Sequence, residues 1–162
     1  MRIALGADHA GVHLKADIKQ LLDARGIPYT DFGVDTTASV DYPDYAAKVA
    51  QEVGSGRFER GILFCGSGVG MAIAANKIHG VRAAAIVDET SARLSREHND
   101  INVLSLGERL TAPDQARRFV EIFLDTPFAA GRHTGRVEKI MLLEADAAHR
   151  ESGGRAVGES VR

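Results

Sequence analysis

Short apolar runs alternate with segments of helical periodicity along the chain, and this alternation constrains the fold more than any other feature. We predict five strands, in the runs RIALGA, IPYTDFG, RGILFC, VRAAAIV and NVLSLG. After the first run, Leu14, Ile18, Leu21 and Leu22 recur at helical spacing, and Gly26 is a stop signal. Such alternation favours a parallel sheet with helices on both faces, joined by right-handed crossovers. The sequence therefore predicts a doubly wound α/β fold with a mainly parallel five-stranded sheet.

Length and composition predict one domain with a short tail. The chain has 162 residues, of which 44% are hydrophobic and 26% charged, as is usual for a globular protein. We place the domain over residues 1–149. The segment RESGGRAVGESVR, from Arg150, has no apolar period, so residues 150–162 are predicted to be a disordered tail.

Composition also argues against several classes of partner. A net charge of −2 and the absence of tryptophan disfavour nucleic acid. No apolar run approaches the length of a membrane span, and the first segment turns polar too early for a signal peptide. The single cysteine cannot form an internal disulfide and suits a reducing compartment. We expect a cytoplasmic protein that binds neither nucleic acid nor membranes.

Polar residues follow the predicted strands at the edge where ligands bind in this class of sheet. In doubly wound folds that edge is formed by the carboxyl ends of the strands. The residues just beyond those ends are Asp8 and His9, the run from Cys65 to Gly70, Asp88, and Glu108 with Arg109. We therefore expect the functional site among them.

The glycine loop CGSGVG, residues 65–70, has three interpretations. Gly66, Gly68 and Gly70 partly match a dinucleotide fingerprint, but Met71 stands where the third glycine of that pattern belongs. The glycines can also form a plain tight turn. Alternatively, successive backbone N–H groups form a cradle for a phosphate or an oxyanion, and their field favours a thiolate at Cys65. Without that role, Cys65 would be a small buried hydrophobic residue.

The histidines and arginines offer further candidates, each with a structural alternative. His9 and His13 are spaced like a metal-binding pair, but no H-E-x-x-H motif is present, and two histidines with a distant third rarely suffice, so we expect no metal. Asp8 either contacts the ligand or caps the first helix. His98, at a predicted helix end, suits either the helix dipole or acid/base chemistry. Arg132 and Arg136 are four residues apart and form either a phosphate clamp, which Arg109 could join, or a solvated face.

Taken together, the motifs GADHAG, DYPDYA, CGSGVGMAIAANK, LSREHND and GRHTGRV resemble the type B ribose-5-phosphate isomerases and their sugar-phosphate isomerase relatives. They occur in the family's order over residues 1–149. The resemblance implies a doubly wound, Rossmann-like fold, an aldose–ketose isomerase acting on a sugar phosphate, no cofactor or metal, and a homodimer or tetramer with its sites between subunits.

The resemblance also implies roles for individual residues. Cys65 corresponds to the base that moves a proton between C1 and C2, and His98 to the acid/base that opens the sugar ring. The remaining roles are an enediolate cradle, at Gly66, Ser67, Gly68, Val69 and Gly70; sugar or pocket contacts, at Asp8, Tyr42 and Asn99; and a phosphate grip, at His9, Arg109, Arg132 and Arg136. Relatives act on pentose, tetrose or hexose phosphates, and a non-catalytic module that binds phosphate or a nucleotide remains the alternative.

Overall fold

Five parallel strands form one sheet in the order β2-β1-β3-β5-β4. The computed structural model describes the backbone of residues 1–154 and the side chains of residues 1–144. The strands are β1 (Ile3–Ala7), β2 (Tyr29–Asp31), β3 (Arg60–Cys65), β4 (Ala83–Ala85) and β5 (Val103–Gly107). Strands β1, β3 and β5 occupy the middle of the sheet and are buried almost throughout, while the edge strands β2 and β4 have three residues each.

The first five helices follow the strands along the chain and cover both faces of the sheet, and a sixth comes after them in the sequence. They are α1 (Val12–Ala24), α2 (Tyr42–Gly54), α3 (Val69–Ala75), α4 (Glu89–Asn99), α5 (Pro113–Asp125) and α6 (Thr134–Gly154), with a 3₁₀ turn at Gly131–His133. Every strand and helix predicted from the alternation is present, and the doubly wound parallel α/β fold is confirmed. The edge strands are shorter than predicted because each pairs on one side only.

Two apolar clusters lie on opposite faces of the sheet. Side chains of α1, α4 and α5 pack with Ile62 and Phe64 of β3 on one face. On the other face, α2 and α3 pack with Leu63 and Cys65. Successive residues of a strand point to opposite faces, so β3 contributes to both cores in turn. This alternation directs the Cys65 side chain toward the layer that contains α3.

The chain divides into two compact units, Met1–Ala129 and Ala130–Arg162. The first contains the whole sheet and helices α1 to α5; the second contains the 3₁₀ turn and α6. This division does not test the single domain expected over residues 1–149, which stays a prediction. The backbone of α6 continues to Gly154, and the rest of the predicted tail, residues 155–162, lies outside the described residues. Within the part searched, no helix has the length and apolar character needed to span a membrane.

Candidate active site

A cleft of about 500 Å³ opens at the carboxyl ends of β1, β3 and β5. Crossovers between parallel strands bring the loops that follow these strands to one edge of the sheet. Most of the predicted site residues of the first unit line this cleft. The lining residues are Asp8, His9, Ala10, Tyr42, Cys65, Gly66, Ser67, Val69, Gly70, Arg109 and Leu110. Ala10, which belongs to the GADHAG motif, and Leu110 are apolar lining residues for which the sequence motifs indicated no role.

The glycine loop owes its shape to close backbone contacts with β5. Gly68 has a φ of 78°, in the left-handed region that glycine adopts without strain, and it precedes the first residue of α3. Its carbonyl accepts a hydrogen bond from the fully buried Ser105 hydroxyl at 2.6 Å. A Cβ at Gly107 would lie 2.6 Å from the Ser67 carbonyl carbon. The loop therefore requires glycine both within itself and on the neighbouring strand.

Cys65 is the last residue of β3, and its sulfur lies under the glycine loop. The side chain is 5% exposed and lines the cleft. The Gly68 N–H donates a hydrogen bond to Sγ at 3.1 Å. Such a bond strengthens when the sulfur carries negative charge, as hydrogen bonds to ionised acceptors do. The sulfur is thus positioned to exchange a proton with a molecule in the cleft.

The loop after β1 presents Asp8 and His9 to the cleft. The buried Asp8 accepts a hydrogen bond from the Ala10 N–H through Oδ1 at 2.8 Å, which makes it a turn residue rather than a cap inside α1. His9 accepts the Val40 N–H through Nδ1 at 3.2 Å. With Nδ1 accepting, a neutral His9 ring carries its proton on Nε2.

The first helix has no cap within its own sequence. Gly11 precedes it, and a Cβ there would lie 2.4 Å from the Phe64 carbonyl carbon. The carboxylate of Glu108, which follows β5, accepts the Leu14 N–H at 2.9 Å instead. The sequence placed Glu108 at this edge, but a cap across the sheet depends on three-dimensional proximity that no local pattern carries.

Two longer side chains complete the walls of the cleft. The Tyr42 ring lies against the Cα of Gly70, where an added Cβ would come within 2.7 Å of the ring. The guanidinium of Arg109 lies over Gly66, 3.1 Å from the corresponding Cβ position. Both glycines therefore leave room for a neighbouring side chain as well as for the backbone turn.

His98 and Asn99 lie at the other edge of the sheet from Cys65. They end α4, which runs antiparallel to the strands, and the Asn99 carbonyl accepts a hydrogen bond from Arg82, just before β4. Five residues of a parallel strand separate the two edges, roughly 16 Å. One copy of the chain does not bring His98 and Cys65 together.

The remaining candidates belong elsewhere in the chain. Arg132 and Arg136 are exposed and lie in the second unit, in the 3₁₀ turn and the first turn of α6. His13 is exposed on α1, and Asp88 caps α4 by accepting the Ser91 N–H at 2.8 Å. In the described part of the chain, no group of three or more His, Cys, Asp or Glu side chains could hold a metal ion.

The fold and the cleft together define a class of protein. A parallel α/β sheet presents a thiol, backbone donors, a histidine and an arginine at its carboxyl edge. This combination fits an enzyme that takes a small anionic substrate and stabilises negative charge as it forms.

Comparison with known proteins gives the family. The sequence profile described as Ribose/Galactose Isomerase matches residues 3–140. Ribose-5-phosphate isomerase B of Escherichia coli is 44% identical over 143 residues, covering 88% of this chain and 96% of the relative. D-erythrulose-4-phosphate isomerase of Pectobacterium atrosepticum is 39% identical over 150 residues, covering 92% of this chain and 99% of the relative.

Solved structures agree with the sequence comparison. Ribose-5-phosphate isomerase B of Clostridium thermocellum is 48% identical, with a TM-score of 0.89, covering 91% of this chain and 99% of the other. The Mycoplasma genitalium enzyme with bound ribulose-5-phosphate is 39% identical, with a TM-score of 0.86, covering 89% and 96%. The chain belongs to the ribose/galactose isomerase family, as the resemblance of its motifs indicated.

Proposed function

We propose that this aldose–ketose isomerase interconverts ribose 5-phosphate and ribulose 5-phosphate through a cis-enediolate. The observation that carries the proposal is the Cys65 sulfur, which lines the cleft beneath the glycine loop and accepts the Gly68 N–H. A base next to fixed N–H donors is what proton abstraction beside a carbonyl requires. Neither a tight turn nor a dinucleotide site needs a sulfur at this point.

The reaction is balanced within the substrate. The Cys65 thiolate removes the proton from C2 of the open-chain aldose, and the C2–H electron pair forms the C1–C2 double bond while negative charge moves to O1. Backbone N–H groups of residues 66–70 stabilise that charge. The thiol then returns the proton to C1, and the proton of the O2 hydroxyl passes to O1 as the C2 carbonyl forms. The electron pair stays in the sugar, so the chemistry requires no redox cofactor.

A set of phosphate contacts away from the reacting carbons would hold C1 and C2 of the sugar next to Cys65. His9 and Arg109 lie on the cleft wall, and the Nε2–H of His9 is free to donate to a phosphate oxygen if Nδ1 keeps Val40 as its donor. We assign Arg132 and Arg136 of a neighbouring copy of the chain to the same grip. Binding energy from a non-reacting phosphate positions the carbons that do react.

We also propose a homodimer or tetramer in which a neighbouring copy supplies His98 and Asn99. His98 would open the furanose ring and Asn99 would contact the sugar, but both lie at the edge opposite Cys65 in their own chain. Apolar side chains are exposed beside the cleft: Val69 by 51%, Ile73 by 58% and Leu110 by 60%. A second subunit would cover this surface and carry its α4 end to the cleft.

A tetrose 4-phosphate or a hexose 6-phosphate is the second candidate substrate. The Pectobacterium relative, 39% identical, is named for a tetrose phosphate, so close sequence similarity spans more than one sugar length. The chemistry at C1 and C2 would be the same, and the distance from the glycine loop to the phosphate grip would decide the sugar. We place the enzyme in the cytoplasm, where a catalytic thiol stays reduced.

An assay with three substrates tests the proposal. Ribose 5-phosphate, erythrose 4-phosphate and allose 6-phosphate are compared by kcat/KM, each with and without EDTA. We expect ribose 5-phosphate to lead by at least about tenfold, a difference of about 1.4 kcal/mol in the transition state. EDTA should change nothing. A lead for either other sugar would replace the substrate, and binding without turnover of any sugar would favour the non-catalytic alternative.

A further inference from the structure

Lys15 is a buried lysine on α1 whose ammonium lies outside the cleft. Its side chain is 1% exposed. The ammonium donates to the Val34 carbonyl at 2.7 Å and to Asp35 Oδ1 at 2.9 Å, and lies 2.8 Å from Asp31 Oδ2. The ammonium therefore makes two hydrogen bonds and an ion pair with Asp31, so its charge is paired. Burial of a charge is costly unless it is paired in this way, which suggests a role beyond packing.

Two of these acceptors belong to the β2–α2 loop, residues 32–41. The ammonium also lowers the pKa of the Asp35 carboxyl, mainly through their hydrogen bond. The Val34 N–H donates to the Ala7 carbonyl at 3.1 Å, so backbone and lysine together fix the first part of the loop against β1 and α1. The loop is otherwise irregular and mostly exposed, so this attachment determines where its later residues lie.

The far part of the same loop contacts the candidate site. The Val40 N–H donates to His9 Nδ1 at 3.2 Å, and Tyr42, just after the loop, lies against Gly70. The hydrogen bond orients the His9 ring and selects the tautomer with its proton on Nε2. A backbone donor that holds one ring nitrogen fixes what the other nitrogen presents, as in other sites with an oriented histidine.

We propose that Lys15 is a positioning residue for the phosphate-binding histidine, acting through the β2–α2 loop. The ammonium holds residues 34 and 35, the loop carries the Val40 N–H to His9, and His9 presents Nε2–H to a phosphate oxygen. This role rests on the proposed function, because it assigns the phosphate contact to His9. Loss of Lys15 should weaken phosphate binding and leave the proton transfer at Cys65 largely intact.

Lys15→Met tests the proposal, with Lys19→Met as its matched control. Lys19 also contacts Asp31, at 3.1 Å, but it is attracted to Asp35 through charge without a hydrogen bond, and its side chain is 32% exposed. We expect Lys15→Met to raise KM for ribose 5-phosphate and Ki for inorganic phosphate about tenfold, with kcat within about threefold. Lys19→Met should leave all three near wild type. Equal effects of the two variants would overturn the proposal.

Nuclear magnetic resonance supplies a readout that does not depend on turnover. In Lys15→Met the Val40 amide should exchange with solvent at least about tenfold faster, since it loses a fixed acceptor. The ¹⁵N signal of His9 Nδ1 should move toward that of a nitrogen without a hydrogen bond. Val40→Pro, which removes the donor directly, should reproduce the histidine shift and the rise in KM. A folded Lys15→Met protein with both signals unchanged would refute the role, even if KM rose.

A double variant covers the case in which Lys15→Met does not fold. Lys15→Met/Asp31→Asn removes the carboxylate that Lys15→Met would leave with Lys19 as its ammonium partner, and Lys19→Met/Asp31→Asn is its control. The double variant that contains Lys15→Met should show the changes in KM and in the His9 signal, and the one that contains Lys19→Met should not. Identical behaviour of the two double variants would count against the proposal. If the His9 signal follows Lys15 but ribose 5-phosphate is not turned over, the positioning role stands and the proposed function fails.

Discussion

The two edges of the sheet use hydrogen bonds in opposite ways. At the carboxyl edge, glycines let neighbouring groups approach the backbone closely, and the backbone N–H of Gly68 donates to the Cys65 side chain. At the amino edge, arginine side chains approach the backbone and donate to carbonyl groups at helix ends. Arg82 donates to the Asp100 carbonyl after α4, and Arg96 donates to the Thr126 carbonyl after α5.

At the amino edge, a partly buried arginine stabilises the fold although burial of its charge is unfavourable. Arg60, at the start of β3, donates to the Phe123 carbonyl near the end of α5 and lies over the Phe123 ring. Burial, reinforced by the neighbouring Arg96, lowers the pKa of Arg60 to about 10. Cations at helix C-termini satisfy carbonyl groups that the helices leave without partners. Strand β3 therefore begins at Arg60, which stabilises the end of α5, and ends at Cys65, which lines the cleft.

The largest effect should come from Cys65→Ala at the carboxyl edge. We expect kcat to fall roughly 10³-fold or more, because the variant lacks the thiol that we propose as the base for the C2 proton. The Ki of inorganic phosphate should stay within about threefold, because no phosphate contact is removed. Steady-state kinetics and phosphate inhibition measure both quantities. Full turnover by this variant would show that the base is wrongly assigned.

Mixing two inactive variants tests whether Cys65 of one subunit and His98 of another belong to the same site. Cys65→Ala and His98→Ala proteins are each expected to be nearly inactive. Unfolding and refolding them together should restore about a quarter of wild-type activity, since half the dimers are hybrids and one of two sites in each is intact. Refolding each variant alone is the control. Absence of recovery, with hybrids demonstrated by mass, would place His98 outside the shared site.

Gly107→Ala should disturb the glycine loop with the cysteine left in place. Its Cβ would lie 2.6 Å from the Ser67 carbonyl carbon, so the cradle must shift. We expect kcat/KM to fall about 100-fold, as a 1 Å misplacement of catalytic groups can cause. Gly56→Ala is the control for a glycine substitution outside the cleft: unlike Gly107, Gly56 has a positive φ, 76°, and an added Cβ meets nothing within 4 Å. That control should lose about 1 kcal/mol of stability and no activity.

The smallest effect on activity should come from Arg60→Met at the other end of β3. Losing a hydrogen bond to the Phe123 carbonyl should lower the free energy of unfolding by about 1 kcal/mol. The value of kcat/KM should stay within about twofold, because the change lies a full strand length from Cys65. Denaturant unfolding and kinetics of the same preparation measure both. A tenfold loss of activity would show that the two edges are not independent.

The sequence predicts the fold and the cleft-lining loops more completely than it predicts the supporting contacts. Apolar runs and helical periods mark every strand and helix, and polar residues after the strands mark the cleft, because both signals are local. Lys15 lies next to Leu14 in the helical pattern, where nothing local shows that Asp31 and Asp35 will surround its ammonium. The opposite-edge position of His98 follows from strand order and helix direction, which motif spacing does not contain.

The cap of α1 joins two distant parts of the sequence, and this affects the order in which they fold. Glu108 accepts the Leu14 N–H across 94 residues of sequence, and Gly11 has no side chain to do so. The amino end of the first helix therefore gains this hydrogen bond only after β5 has joined the sheet. Contacts so distant in sequence slow folding, so we expect this helix end to become protected late, together with the last central strand.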